Sequence, residues 1–138
     1  MAHKSYEHRD VVDKLGIKPS HAVVFASEAR VVDADLQQRI LDRVERPLAA
    51  LDEHVDVVLA VVDADSDFVE VLQRWRPRLK PTGAIWLLTA KRGQPDYVNQ
   101  NELIGAGLQA GVVDNKICSV SSTISAMRFV IRRRDRSG

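Results

Sequence analysis

Short apolar segments alternate with longer amphipathic stretches along this chain. Residues 21–26, 55–62 and 83–89 are almost continuously apolar and contain many β-branched side chains. Apolar segments of this length are typical of parallel strands that are covered on both faces. The pattern therefore predicts three buried strands, with residues 21–26 as a central strand of the sheet.

Two of the intervening stretches have the period of an amphipathic helix. Apolar side chains recur at helical spacing in residues 36–48 and again in residues 68–79. Asp33 or Asp35 can cap the first helix, and Pro47 is expected to break it because proline cannot donate the helical hydrogen bond. The second stretch is the clearest amphipathic helix of the sequence.

A third helix is predicted over about residues 100–110. Asn99 is placed to cap its start, and Gly111 can close it in the left-handed conformation that glycine adopts at little cost. Gly105 and Gly107 lie inside this helix, where each costs roughly 1 kcal/mol relative to alanine. We therefore expect both glycines to allow close packing of the helix against the sheet.

The last part of the chain predicts an antiparallel pair of strands. Residues 117–121 and 127–132 alternate between apolar and polar positions. The whole order of elements predicts a three-layer α/β/α fold, in which right-handed crossovers join a mixed sheet of about five strands. Residues 1–138 are expected to form one domain, with flexible ends at residues 1–12 and 134–138.

Charge balance and cysteine content narrow the range of partners and compartments. Lys and Arg number 20 against 19 Asp and Glu, so no net field attracts nucleic acid or anionic lipid. The longest apolar run, residues 57–62, is too short to cross a bilayer, and the charged N-terminus is unlike a signal peptide. Cys118 is the only cysteine, as is typical of a reducing compartment. We expect a soluble cytoplasmic protein with no membrane partner.

Part of the chain resembles the Rossmann-like methyltransferases. In those proteins a strand, a helix and a Lys-Pro-x-Gly turn lead into the next strand, as residues 56–59 and 79–87 do here with a helix between them. Residues 111–113, followed by paired strands and Arg128, look like the closing hairpin of that fold. The resemblance implies a shortened, methyltransferase-like Rossmann fold.

The chain is more closely similar to DUF3052, a bacterial family of unknown function. The similarity covers residues 15–19, 81–86, 112–117 and 127–130, which together span most of the chain. Members usually carry Trp-Ser-Gly ahead of the arginine, whereas this chain has Ile-Ser-Ala at residues 124–126. The resemblance implies the fold and no particular activity.

The cofactor loop of a methyltransferase has no counterpart in this sequence. Such enzymes bind S-adenosylmethionine where the first strand turns into its helix, with glycines that let the backbone approach the cofactor. Residues 25–32 occupy this place and contain no glycine, so side chains would obstruct that approach. We therefore expect no cofactor of this kind, and the glycine motifs for dinucleotides and triphosphates are also missing.

Polar side chains follow the predicted strands, at the edge where open α/β sheets bind ligands. Glu28, Asp63 and Lys91 could serve acid and base roles there, whereas the ordinary interpretation is solvated loop charges and helix caps. No catalytic residue is assigned. The candidate ligand-binding residues are Ser27, Glu28, Asp63, Thr89, Lys91, Lys116 and Arg128.

The remaining reactive side chains favour structural roles. The four histidines have no metal-ligand spacing, so no metal site is predicted. Cys118, in an alternating apolar segment, is expected to be a small buried hydrophobe. The arginine cluster at residues 132–136 leaves open a weak, salt-sensitive contact with nucleic acid, although the balanced charge disfavours that partner. The histidines are His3, His8, His21 and His54.

These observations favour a non-catalytic module that binds a ligand or another protein, built on a degenerate methyltransferase-like scaffold. The alternative is an enzyme that acts on a small polar metabolite at the ends of the strands. Exposed edges of a short sheet also make a homodimer plausible.

Overall fold

The computed structural model describes residues 10–136, with a five-stranded sheet at their centre and helices on both faces. The helices are α1 (Val11–Lys14), α2 (Ala34–Val44), α3 (Phe68–Trp75) and α4 (Gln100–Ala110). The strands are β1 (Val23–Ala26), β2 (Val55–Val61), β3 (Leu79–Ala90), β4 (Val112–Ser119) and β5 (Ile124–Ile131). Short 3-10 turns span Arg76–Arg78 and Arg133–Asp135. The predicted three-layer α/β fold with a five-stranded mixed sheet is confirmed.

The strands lie in the order β1-β2-β3-β5-β4. β1, β2 and β3 are parallel, whereas β5 runs antiparallel to both β3 and β4. Within the described residues β5 is therefore the one antiparallel strand, and β4 runs parallel to β3. The predicted antiparallel pair is present, but β4 begins at Val112, earlier than the predicted residues 117–121.

β3 also begins earlier than the apolar pattern indicated. Leu79 pairs with Val55, and the register then shifts, so that the turn-like Pro-Thr-Gly segment is accommodated within the strand. A Cβ atom at Gly83 would lie 2.7 Å from the carbonyl oxygen of Val55, so glycine is required for this approach. The helix predicted over residues 68–79 accordingly ends at Trp75.

β1 lies at one edge of the sheet, so the prediction that residues 21–26 form a central strand is wrong. It pairs with β2, beginning with Val23 opposite Val57. Val23 packs on the side of α2 and Ala26 on the side of α3, and both are buried. Because helices cover both of its faces, this edge strand is as apolar as a central one.

The first two crossovers of the sheet have opposite hands. Val57 and Leu59 of β2 pack with α1 and α2, whereas Val58 and Ala60 pack with α3 and α4 on the other face. The steps from β1 to β2 and from β2 to β3 run in the same direction across the sheet. Since α2 and α3 lie on opposite faces, the prediction of right-handed crossovers throughout is wrong. The periodicity of a helix does not encode the face that it covers.

The ends of α2 are defined by local hydrogen bonds. Of the two candidate caps, Asp33 is the one used, because its carboxylate accepts the backbone N–H of Leu36 over 3.1 Å. The helix ends at Val44, where Glu45 adopts the left-handed conformation with φ +56°. The helix therefore ends before Pro47, near which the sequence predicts the break.

The expected flexible ends overlap the described residues only in part. Val11 and Val12 belong to α1, and Val12 is buried. The remainder of the expected N-terminal segment, residues 1–9 with His3 and His8, and residues 137–138 lie outside the described residues. Over the range that is described, no helix is long and apolar enough to span a bilayer.

Helix α4 packs closely on the sheet at one of its two internal glycines. A Cβ atom at Gly107 would lie 2.7 Å from the ring of Phe129, which is completely buried. A Cβ atom at Gly105 would meet nothing within 4 Å. The prediction of close packing is therefore confirmed for Gly107 and wrong for Gly105.

Replacing Gly107 with alanine is expected to destabilise the protein by about 1–3 kcal/mol, because the added methyl group overlaps the Phe129 ring. Gly105→Ala is the matched control, since it adds the same group to the same helix in open space. It is expected to stabilise the protein by about 0.5–1 kcal/mol. Urea unfolding followed by circular dichroism measures both changes. Equal effects of the two substitutions would contradict the packing role of Gly107.

Candidate functional site

A cavity of about 520 Å³ opens at the carboxyl end of β3, between β5 and the start of α4. We call it the strand-end cavity. Thr89 of β3 and Ser125 of β5 line it and face each other directly in the antiparallel register. Opposed residues of an antiparallel pair project from the same face of a sheet, so the two hydroxyl groups stand side by side in the cavity.

Thr89 and Ser125 are polar groups without protein partners. Thr89 is only 6% exposed and is the one buried polar residue of residues 10–136. Neither hydroxyl makes a hydrogen bond within the described part of the chain, and both remain open to the cavity. Since no buried side-chain N or O atom of residues 10–136 lacks a partner, both oxygens reach the open space of the cavity, where a ligand can bond to them.

Two cationic side chains border the strand-end cavity. The Lys91 ammonium donates to the hydroxyl oxygen of Ser119 over 2.5 Å, and its backbone N–H donates to the carbonyl of Thr123 over 2.8 Å. The Arg92 guanidinium lies 5.8 Å from the centre of the Tyr97 ring. Among the described residues, neither Lys91 nor Arg92 forms an ion pair. Their charges are therefore available to the cavity.

The start of α4 contributes a third positive element. Asn99 caps the helix by accepting the backbone N–H of Asn101 over 2.8 Å, and both residues line the cavity together with Gln100. The N-terminus of a helix carries a partial positive charge, which favours anions. Lysine, arginine and helix terminus thus converge on the same space.

Of the seven predicted site residues, the structure brings Thr89 and Lys91 together in this cavity. Ser27 is exposed at the end of β1. The Asp63 carboxylate closes its own turn by accepting the backbone N–H of Asp65 over 3.0 Å and the hydroxyl of Ser66 over 3.2 Å. Asp63 therefore already has its partners.

Glu28 also has partners away from the cavity. Its carboxylate accepts hydrogen bonds from Arg74, at the end of α3, and from the indole N–H of Trp75, the latter over 3.3 Å. The hydrogen bond with Glu28 raises the pKa of Arg74. The predicted combination of Glu28, Asp63 and Lys91 is consequently not assembled into one site.

Lys116 and Arg128, the other predicted residues, lie on the opposite face of the sheet. Arg128 is paired with Trp86 of β3 and with Lys116 of β4 in the strand register. Both side chains lie near the loop that follows α1. The structure therefore divides the predicted set into two separate groups.

Sequence reasoning missed Ser125, Asn99 and Asn101 as lining residues. Asn99 was assigned only as a helix cap, and Ser125 was placed between two strands rather than inside one. The alternation of the Ile-Ser-Ala-Met segment would have placed Ser125 on the same face as Met127. Its position opposite Thr89 depends on the register, which the sequence does not state.

The segment that follows β1 lies across the end of β2. The backbone N–H of Ala29 donates to the carbonyl of Val61 over 3.0 Å, and Arg30 forms an isolated bridge with the same residue. The Arg30 side chain also pairs with Asp96 over 2.9 Å. Ala29 and Arg30 are therefore bound to the end of β2.

Residues 12–133 match a family described as "Protein of unknown function (DUF3052)". Similar curated proteins include uncharacterized protein Rv2239c of Mycobacterium tuberculosis, which is 31% identical over 122 residues that cover 85% of this chain and 75% of that protein. Uncharacterized protein Mb2263c of Mycobacterium bovis shows the same identity and coverage.

Solved methyltransferases share the fold of this chain. The O-methyltransferase NcsB1 from neocarzinostatin biosynthesis matches with a TM-score of 0.69 and 14% identity over 94% of this chain and 55% of that one. A TehB-like SAM-dependent methyltransferase from Corynebacterium glutamicum matches with a TM-score of 0.57 and 7% identity over 94% of both chains. This chain spans about half the length of NcsB1 and of the mitomycin 7-O-methyltransferase MmcR. At these identities the similarity establishes a methyltransferase-type fold and nothing further.

Cys118 and His21 are held in structural environments. Cys118 packs against the core on the side of α1 and α2, and burial raises the pKa of its thiol, against the smaller opposing effect of Lys116 and Lys14. His21 accepts the backbone N–H of Lys18 over 3.2 Å. Within residues 10–136, no three His, Cys, Asp or Glu side chains are grouped closely enough to hold a metal ion.

Alkylation of Cys118 by iodoacetamide at pH 8 is expected to be several-fold slower in the native protein than in urea. The thiolate is the reacting form, and a raised pKa leaves less thiolate at that pH. The pH–rate profile of the native protein should be displaced to higher pH, as measured by mass spectrometry of quenched samples. A native profile at the same or lower pH would contradict the assigned environment.

Proposed function

This chain belongs to the DUF3052 family of proteins of unknown function, and on that premise we propose that it is a non-catalytic module that binds a small organic anion in the strand-end cavity. The observation that carries the proposal is the pair of hydroxyl groups of Thr89 and Ser125. They line a cavity of about 520 Å³, and neither hydroxyl bonds to another group of residues 10–136, so both are open to a ligand. A cavity of this size suits a small metabolite.

The charge of the lining favours an anion. Lys91, Arg92 and the start of α4 supply positive charge, and none of the lining residues is Asp, Glu, His or Cys. A carboxylate or phosphate group could accept hydrogen bonds from these donors and from both hydroxyls at once. Charge-assisted hydrogen bonds of this kind are about twice as strong as those between neutral groups.

The buried part of the lining favours a ligand that also has an apolar portion. Val98, Leu103 and Met127 are each less than 5% exposed and line the same cavity. Apolar walls with a few convergent polar groups are typical of small-molecule sites. An organic anion therefore fits the cavity better than a bare inorganic ion.

The same lining supports binding without catalysis. General acid–base chemistry needs a titratable base within hydrogen-bond reach of the substrate. Glu28 and Asp63, which the enzymatic alternative requires beside Lys91, are bound to Arg74 and to Ser66 instead. The remaining candidates in the cavity wall are hydroxyls and amides, which orient ligands rather than abstract protons at neutral pH.

S-adenosylmethionine does not fit the segment that would hold it in a methyltransferase. The NcsB1 structure is a complex with S-adenosyl-L-homocysteine, whereas here the backbone N–H of Ala29 is already bonded to Val61. Residues 25–32 contain no glycine that would let a nucleoside approach the main chain.

A cytoplasmic location is part of the proposal. Cys118 is a free thiol in the structure and the only cysteine of the chain, which suits a reducing compartment.

Benzoate and acetate are suitable probes of the strand-end cavity. In 1H–15N NMR titrations we expect benzoate to shift the amide signals of residues 89–92, 97–103 and 125, because its carboxylate meets the donors and its ring meets the apolar wall. Acetate should shift the same signals more weakly. Benzyl alcohol, which has the same shape without the charge, should leave them unchanged. Equal shifts from benzyl alcohol would contradict an anion site.

The variant Thr89→Val is expected to weaken benzoate binding by roughly two- to tenfold, because one hydrogen bond to the ligand is lost. Thr123→Val is the matched control, since that threonine is exposed and does not line the cavity. Dissociation constants from the same NMR titrations measure both effects. If the two substitutions weaken binding equally, the hydroxyl of Thr89 is not part of the site.

Isothermal titration calorimetry with S-adenosylmethionine is expected to show no binding up to millimolar concentrations, because the segment after β1 is packed on β2. A dissociation constant in the micromolar range would show that this segment does accept the cofactor.

A further inference from the structure

The face of the sheet opposite the strand-end cavity carries a group of cations that have no acidic partners. Arg128 projects from β5 on the side of Trp86 and α1, and it is half-buried. Lys116 lies opposite it in β4, and Lys14 and Lys18 approach from α1 and the loop that follows. We call these four residues the basic cleft. Two neighbouring cavities of about 260 and 310 Å³ share Leu15, Gly16, Lys18 and Arg128 in their linings.

Arg128 is the most constrained of these cations. It forms no hydrogen bond and no ion pair with any described residue, although its strand is buried on both sides. Burial lowers its pKa, and the charge of Arg136 lowers it further. A half-buried guanidinium without a counter-ion costs free energy, because its charge is partly removed from water and no opposite charge compensates it.

The lysines of the basic cleft are likewise without carboxylates. The Lys116 ammonium donates to the backbone carbonyl of Lys14 over 3.1 Å, and the Lys14 ammonium donates to the backbone carbonyl of Ser119 over 3.3 Å. No salt bridge within residues 10–136 includes Lys14, Lys18 or Lys116. No carboxylate of the described residues therefore offsets their charges, and an anion in the cleft could pair with them.

The acidic residues nearest to the cleft are already neutralised. The Asp56 carboxylate, which borders the smaller cavity, accepts the backbone N–H of Ala22 over 2.8 Å and the Lys80 ammonium over 3.1 Å. Asp13 of α1 pairs with Arg43 over 2.8 Å. Neither carboxylate is therefore free to serve as the missing counter-ion of Arg128.

The loop that forms one wall of the cleft is anchored to the core. The indole N–H of Trp86, which is completely buried, donates to the carbonyl of Leu15 over 3.1 Å. This bond links the end of α1 to the middle of β3, 71 residues further along the chain. The backbone that leads to Lys18 is therefore tied to β3 beside Arg128.

From these observations we infer that the basic cleft is a second ligand site, which binds the phosphate groups of a small phosphorylated molecule. A guanidinium binds two phosphate oxygens in parallel, and flanking ammonium groups match the remaining charge. The volumes of about 260 and 310 Å³ suit one or two phosphate groups rather than a polymer. The site lies on the other face of the sheet and does not rest on the function proposed for the strand-end cavity.

Fluorescence of Trp86 provides a direct test in the full chain. The protein has two tryptophans, so the variant Trp75→Phe leaves Trp86, which lines the larger cavity of the cleft, as the only reporter. Inorganic pyrophosphate and phenyl phosphate are the probes, titrated at constant ionic strength with sodium chloride as the reference salt. Saturable binding of either probe is expected. Preference for phenyl phosphate would indicate a phosphate ester as the natural ligand, and preference for pyrophosphate would indicate a diphosphate. A response no larger than that of sodium chloride for both probes would overturn the proposal.

Variants distinguish a specific phosphate site from general attraction of anions to positive charge. Arg128→Gln is expected to weaken probe binding at least about tenfold, and Arg128→Lys by less, because one ammonium replaces the paired guanidinium donors. Arg134→Gln is the matched control, since it removes the same charge from an exposed arginine without an ion pair in the described chain. Equal weakening by Arg134→Gln would overturn the proposal.

Lysine variants and competition with RNA provide two further tests of the site. If Arg128→Gln fails to fold, Lys18→Gln and Lys116→Gln, both at exposed positions, are each expected to weaken binding by a few-fold. No effect of either lysine substitution would then count against the cleft. A short RNA duplex that displaces the small probes and binds more tightly than they do would identify a nucleic-acid surface instead.

Discussion

The pairing of β3 with β5 is the interaction on which the rest of this structure depends. β3 is covered on both faces and hydrogen-bonded along both edges, and its partner β5 joins it to β4. One register places Thr89 opposite Ser125 on one face and Trp86 opposite Arg128 on the other. Because side chains alternate between the faces of a sheet, a slip by one residue would exchange the two faces and destroy both sites.

The methyltransferase-type fold is combined here with a distinct set of contacts after β1. Ala29 and Arg30 bond to the end of β2, and Glu28 binds Arg74 and Trp75 of α3. These contacts tie the segment after β1 to β2 and to α3. A fold shared at 14% identity with NcsB1 therefore says little about activity, which resides in particular side chains.

The net charge of this protein does not show how its charged groups are distributed. The formal net charge is +1, yet positive groups without acidic partners border cavities on both faces of the sheet. Lys91 and Arg92 border the strand-end cavity, and Arg128 with its lysines forms the basic cleft. Most acidic residues are consumed by caps and ion pairs, as Asp33, Asp56 and Glu53 are.

The sequence by itself determined the type and order of the main elements. Apolar segments marked β1 and β2, and helical spacing with Asp33 and Gly111 marked α2 and α4, because these signals depend on neighbours along the chain. It also identified Thr89 and Lys91 as candidate ligand contacts from their position after a strand.

Tertiary structure alone decided which elements meet. The edge position of β1, the opposite hands of two crossovers, the pairing of Ser125 with Thr89 and the separation of Arg128 from Lys91 all depend on long-range contacts. The periodicity of the sequence indicates which side chains are buried, but not which elements they pack against. The packing partners are set by the register between strands that are distant in the sequence. The same register determines where unpaired hydroxyls and cations converge.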